Sequence, residues 1–491
     1  MRPIIFNGTG VKIADIAAIA RKDAQVEVDP NVYDRLTRAR ALLDRAAASG
    51  QKIYGLNTGL GANLKTSVTT DISMFQQQLV RGRSVGVGPS LPRDLTRAVL
   101  AARLSMLSVG GSGTSPSVFD DLLALLNMKV HPVIPSVGSI GAGDLVLLAS
   151  VAQTLIGEGR AEFQGQVYPS AQALEMAGLA PSRLGPKDGL SLLNASAVSV
   201  GQAALVAVDA TSLMDFQRQA AALSFEALGG NPLILAPSIQ RARPAGGQTE
   251  EAQILLALLE GSSLFDADPA IQDPLSLRCV APIHGAFVNA LNAATEAVEI
   301  ELNAAADNPL VVLEENRVLS TGNFHTPALA LAFEAIGVAI AQMALASAAR
   351  FIQLTGAGRN GLPRYLTPMG GASAGFVPLQ KTVTALIAQI RHKANPVVLD
   401  FLPVSEGVED HATQTRLAVA KAAEIVDSWR YVVACELLAA AQAIDLKPGH
   451  ICGRRSSQTY RFVREASSKL AEDRALGIDV SELADRLRGE T

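Results

Sequence analysis

The chain has 491 residues and a net charge of −4, a balance that offers nucleic acid or an anionic membrane nothing to hold. Apolar residues make up 48% and aromatic ones only 4%, with Ala and Leu dominant, which favours closely packed helices over strands. Cys279, Cys435 and Cys452 are far apart, with neither CxxC nor metal-ligand spacing, so they read as reduced thiols in a cytosolic protein; the six histidines are scattered, and neither metal nor cofactor is expected.

The first residues, Met1 to Phe6, lack the apolar core and cleavage site of a signal peptide, which points to the cytoplasm. Residues 29–49 predict the first long helix, opened by Asp29-Pro30. The loop 54–61 that follows holds three glycines, which permit tight turns and close backbone approach to a ligand. Helices are expected over 73–82, 93–109 and 117–128, then a proline-punctuated loop over 131–135. Helix 144–157 begins with Asp144, an acid at the favourable end of the helix dipole. A β-like excursion over 162–169 and a short helix over 170–177 complete the N-terminal part, 1–195.

The remainder, 196–491, is nearly all helical pattern, with main segments at 193–228, 249–259, 285–306, 326–354, 381–392 and 413–444. Helices beyond about 25 residues exceed the globular norm and predict an all-α bundle of long rods. The apolar stretch 327–349 is long enough to span a bilayer, yet it carries Glu334 and Gln342 and is mostly Ala. It reads as a helix buried in the core of a soluble oligomer. Residues 461–488 are charged and amphipathic, as in a surface helix.

Several motifs follow one another in a familiar order. They are Tyr54-Gly-Leu-Asn57-Thr-Gly-Leu-Gly61, Gly138-Ser-Ile-Gly-Ala-Gly-Asp144-Leu, Leu192-Leu-Asn194, and Gln272-Asp-Pro-Leu275-Ser-Leu-Arg278-Cys279. Glu301-Leu-Asn303, Asp307-Asn-Pro309, Gly322-Asn-Phe324-His325, Glu409-Asp-His411 and Glu436 to Asp445 continue the series. Together they resemble the histidine, phenylalanine and tyrosine ammonia-lyases over almost the whole chain. The resemblance implies a long-helix bundle of the aspartase/ammonia-lyase type and a homotetramer whose active sites draw on three subunits.

It also implies roles. Tyr54 resembles the base that removes the β-proton, Arg278 the grip on a substrate carboxylate, and Glu409 a carboxylate near the departing amine. Asn194 and Gln272 match polar anchors, Phe324 a wall of the pocket, and Gly61 a backbone close to the ligand. Each has a structural alternative. Tyr54 could plug a turn, Arg278 pair with Asp273, Asn194 cap the following helix, Phe324 fill core, and Glu409 open a helix.

The departures from the family pattern fall around this expected pocket. The family's loop carries Ala-Ser-Gly, which cyclises and dehydrates to the electrophile methylidene-imidazolone (MIO). Here Ala142 is followed directly by Gly143 and Asp144, and neither Ala nor Gly can lose water. Ser139 precedes Ile140, and the triplets ending at Gly50 and Gly113 read as structural caps and turns. Arg83 stands for a His, Leu275 for a catalytic Tyr, Val408 for a Gln, and His284 for an apolar residue. Arg83 and His284 thus join the substrate-binding candidates. The expected function is an MIO-independent carbon–nitrogen or carbon–oxygen lyase using Tyr54 on a small carboxylate. A conventional histidine or aromatic amino-acid ammonia-lyase is the alternative, and a non-catalytic ligand-binding homologue the second.

Overall fold

The computed structural model describes residues 2–68, 71–268, 270–356, 361–399 and 401–488. Its centre is built from the helices Ala197–Leu228, Val280–Leu302, Pro327–Thr355, Val377–Lys393 and Thr415–Asp445. Helix Thr415–Asp445 packs against both Pro327–Thr355 and Ala197–Leu228, and Val280–Leu302 closes the group. Alanines make such close contact possible, and Ala439, Ala440 and Ala441 are fully buried. Trp429 fills the middle, edge-on to Phe287 at 5.3 Å between ring centroids. The mainly helical fold agrees with the sequence expectation.

Local signals set the helix starts. Asp29 caps Pro30–Ala48 by accepting from the Asn31 amide, and Asp71 caps Ile72–Arg83 through the Met74 amide. Two differences matter. The expected helix 193–228 is broken: Asp188–Leu193 ends at Asn194, and Ala197–Leu228 begins three residues later. The expected C-terminal helix 461–488 is two helices, Arg454–Ala466 and Leu476–Arg486. The β-like stretch is a hairpin of Arg160–Phe163 with Gln166–Pro169, one of several short strand pairs.

Among the described residues two helical stretches are long and apolar enough to cross a membrane, Asp188–Leu228 (with its break at Asn194) and Pro327–Thr355, and both pack within the bundle. The second shows outward Leu331, Val338, Leu345 and Ile352, a stripe at heptad spacing.

A polar hub sits inside the apolar bundle. Glu436 accepts from Arg350 Nε at 2.6 Å and Nη2 at 3.0 Å, from Ser224 Oγ at 2.7 Å, and from Ser347. Arg350 Nη1 donates to the Ser276 carbonyl at 2.9 Å, which ties the Gln272–Cys279 motif to the bundle. Both charged side chains are inaccessible to solvent. Replacing Arg350 by Met strands a buried carboxylate and is expected to cost about 3–5 kcal/mol in denaturant unfolding. The double variant Arg350→Met/Glu436→Leu removes both charges and should recover much of that loss; a double variant no better than the single one contradicts this account.

Glu301, near the end of Val280–Leu302, is lifted by burial to about 7. The folded state therefore holds its proton where the unfolded chain has lost it. Stability should fall as pH rises from the ordinary carboxyl range through about 7, by on the order of 3 kcal/mol. Glu301→Gln should flatten that slope in unfolding curves taken across the window.

Candidate active site

The loop after helix Pro30–Ala48 is held by Asn57, which accepts from the Ile53 amide at 2.7 Å and donates to the Gln51 carbonyl at 2.8 Å. At its far end Gly61 has φ +58°, a conformation that side chains resist. That turn brings the Gly61 amide to 3.0 Å from Tyr54 Oη, to which it donates. Arg83, half-buried at the end of helix Ile72–Arg83, lies in the same field. Burial pulls its guanidinium below its ordinary value, against the opposing pull of Tyr54 and Glu409.

Tyr54 faces a cavity of about 800 Å³ whose walls include Gly61, Lys65, Ala142, Phe324 and Glu409. Glu409 is steadied by Ser405, whose Oγ donates to Oε2 at 2.8 Å. The Ala142 backbone bridges to His325, and His325 Nε2 lies 2.8 Å from His411 Nδ1. Burial, then the neighbouring His411, pull the His325 imidazole below its usual range.

The floor of the cavity is the loop 138–144, gripped from both sides. Thr413 Oγ1 donates to the Gly141 carbonyl at 2.8 Å, and the Gln414 amide to the Ile140 carbonyl at 2.9 Å. On the other side Asp144, fully buried, accepts from Ser139 Oγ at 2.6 Å and from the Ser199 amide at 2.8 Å. Burial raises the Asp144 carboxyl, and these donors oppose the rise. Gly141 is required here, because a Cβ on it would meet Thr413 Oγ1 at 2.2 Å. Asn194 leaves its helix to donate to the Asn308 carbonyl at 2.8 Å, and its Oδ1 lies beside Gly143. It therefore does not cap the helix that follows.

The fold thus brings Tyr54, Gly61, Ala142, Phe324 and Glu409 to one cavity, with Asn194, Gly143 and Asp144 beneath it. Arg83 is not among the lining residues, and neither are Gln272, Leu275 and Arg278, which are exposed around the short helix Leu275–Arg278. His284 is a correction. It is fully buried within the bundle, its Nδ1 3.6 Å from Glu251 Oε2, and burial lowers its imidazole. It sits where helix Val280–Leu302 meets Gly246–Leu259 in a close approach of Gly285 to Gly247, so packing and not substrate claims it. Lys52 and Lys65 were missed, although they flank the glycine loop and line the cavity.

The chain matches the aromatic amino acid lyase family over residues 11–465. It belongs to that family. It is 36% identical over 484 residues to a histidine ammonia-lyase of Treponema denticola, covering 98% of this chain and 96% of that one. Among solved structures, ergothionase from Treponema denticola, an ergothioneine-degrading enzyme, superposes with a TM-score of 0.94 at 32% identity, covering 99% of this chain and 98% of that one. Histidine ammonia-lyase from Trypanosoma cruzi superposes with a TM-score of 0.92 at 30% identity, over 99% of this chain and 93% of that one. The protein is a lyase of the ammonia-lyase type.

The residues in the loop do not fit the family's MIO group. Ala142 and Gly143 offer no hydroxyl to lose, and the Ser139 hydroxyl is spent on Asp144. Ser49 closes a helix by donating to the Ala46 carbonyl at 2.8 Å, and Ser112 is a buried turn residue bonded to Thr114. Because Ser139 is one of the few donors on a buried carboxylate, Ser139→Ala should cost about 1–3 kcal/mol in chemical denaturation. A change within experimental error contradicts the role given to this loop contact.

Proposed function

We propose that this chain is an MIO-independent lyase that expels a tertiary amine from a quaternary ammonium carboxylate of the ergothioneine kind. The observation that carries the reading is a cavity with Tyr54, Phe324 and Glu409 in place above a loop with no dehydratable residue. An electrophile serves amine elimination by adding to the nitrogen lone pair and so making it a better leaving group. A trimethylated nitrogen has no lone pair to add and already leaves as a neutral amine. For such a substrate the missing serine costs nothing.

In this reading Tyr54 takes the Cβ proton, the C–H electrons become the Cα=Cβ bond, and the Cα–N pair leaves with the amine. The product is an unsaturated carboxylate. Glu409 and the Phe324 ring suit a permanent cation, the first by charge and the second by its π-face. Arg278, with Gln272 and Leu275 beside it, supplies the carboxylate grip from a second copy of the chain. The outward stripe Leu331, Val338, Leu345 and Ile352 supports such an assembly. The ergothionase likeness supports the substrate class.

A conventional histidine ammonia-lyase is the second reading, and the names of the curated relatives favour it over ours. Incubation with ergothioneine and with histidine separates the two. Tertiary amine release from the betaine, with an intact mass equal to the encoded chain, is expected. Ammonia release from histidine, with a mass lower by two waters, overturns the proposal. Tyr54→Phe should still bind the betaine while kcat falls by about 100-fold or more, the scale of a lost general base; unchanged turnover removes Tyr54 from the mechanism.

A further inference from the structure

A second cluster of reactive side chains lies outside the catalytic cavity, at the C-terminal end of helix Ala197–Leu228. Glu226, fully buried, comes from that helix, while His450 and Cys452 come from the loop after Thr415–Asp445. A carboxylate oxygen, a ring nitrogen and a sulfur from these three lie within 4.8 Å of one another. Glu226 Oε2 is 2.8 Å from His450 Nε2 and accepts from Ser262 Oγ at 2.6 Å, and Oε1 accepts from the Gly453 amide at 2.8 Å.

Among the described residues Glu226 and Asp144 are fully buried carboxylates with no arginine or lysine ion pair, and Asp144 is met by Ser139 and Ser199 instead. The buried acids Glu436, Glu251, Asp307, Asp188 and Glu334 each sit on an arginine or lysine. Among the described residues the ion-pair partner of Glu226 is His450 alone. Lys447, close by, spends its ammonium on the main-chain carbonyls of Glu226 and Ala227 at 3.2 and 3.5 Å. Buried charges are ordinarily paired with a fixed cation or bound to a metal.

Ser263 Oγ, 3.1 Å from His450 Nδ1, gives the cluster the outline of a nucleophilic triad. The amides a triad needs for an oxyanion are already used. That of Ser263 donates to the Ile451 carbonyl at 2.9 Å, and that of Leu264 to Ser262 Oγ at 3.1 Å. A triad also leaves Cys452 without a part.

We propose that Glu226, His450 and Cys452 bind one divalent transition-metal ion of the zinc type, with a fourth position open to the adjoining cavity. That cavity, about 410 Å³, is lined in part by Ser263, Lys447 and His450. One oxygen, one nitrogen and one sulfur donor suit zinc and its neighbours and disfavour calcium and magnesium. On binding, the Cys452 thiol loses its proton to solvent, and His450 presents Nε2 to the metal with its ring proton on Nδ1, toward Ser263 Oγ. The sulfur ligand is the thiolate, so binding releases that thiol proton. Ser263 and Ser262 hold the imidazole and the carboxylate as outer partners. Sequence spacing predicted no metal because Glu226 lies far from His450 along the chain.

Cobalt(II) titration of the chelator-treated full-length protein tests the site without reference to turnover. One equivalent should bind, with thiolate-to-cobalt absorption in the near ultraviolet. Cys452→Ser should abolish that absorption, whereas Cys279→Ser and Cys435→Ser should keep it. Ser262→Ala should weaken binding about 10- to 100-fold, the range for an outer partner. His450→Gln, checked for folding by circular dichroism, should lose binding as well. A folded wild type without the absorption, or a band that survives Cys452→Ser or His450→Gln, overturns the proposal.

Discussion

The arrangement depends on the Arg350–Glu436 pair in the middle of the bundle. Glu436 gathers Ser224 and Ser347 as well as Arg350, so one carboxylate fixes the relative register of Ala197–Leu228, Pro327–Thr355 and Thr415–Asp445. The remaining guanidinium donor reaches the Ser276 carbonyl. A charge buried for bundle packing thereby also sets where Arg278 is displayed. Such a pair adds little net stability over an apolar replacement, because desolvation offsets most of the attraction. Its value lies in directionality: Ala and Leu surfaces slide past one another, whereas a bidentate ion pair with three further partners has one geometry.

Much of this was legible in the sequence because long helices have a strong period and their caps are local. Asp29 acts as a cap within two residues of itself, so the start of its helix could be read directly. The break at Asn194 could not. Its cause is a hydrogen bond to Asn308, more than a hundred residues away, which outweighs the local helix pattern. His284 fails for a related reason. Its neighbours read as a site motif, but Gly247 and Gly285 let two helices approach so closely that the imidazole is enclosed. Glu226 and Cys452 carried no signal, since their proximity arises only when the loop after Thr415–Asp445 folds back on an earlier helix.

The loop 138–144 shows what is retained when a reactive residue is absent. Thr413, Gln414, Ala195 and Ser199 still bond it on both sides, and Gly141 still occupies a position that no side chain can enter. Here the constraints remain and Asp144 keeps its donors, so the loop still shapes the cavity floor. The chemistry we propose for this floor is one in which the substrate supplies its own leaving group. A quaternary nitrogen does so, since its departure needs neither a proton nor an electrophile. What the protein must then provide is a base at Cβ and a field that favours the developing carboxylate charge. In the proposed reading Tyr54, bonded to the Gly61 amide, is that base and comes from within one chain. The same reading assigns the second requirement to Arg278, exposed on a different part of the surface, brought there by another copy, which makes assembly part of the proposal and not an addition to it.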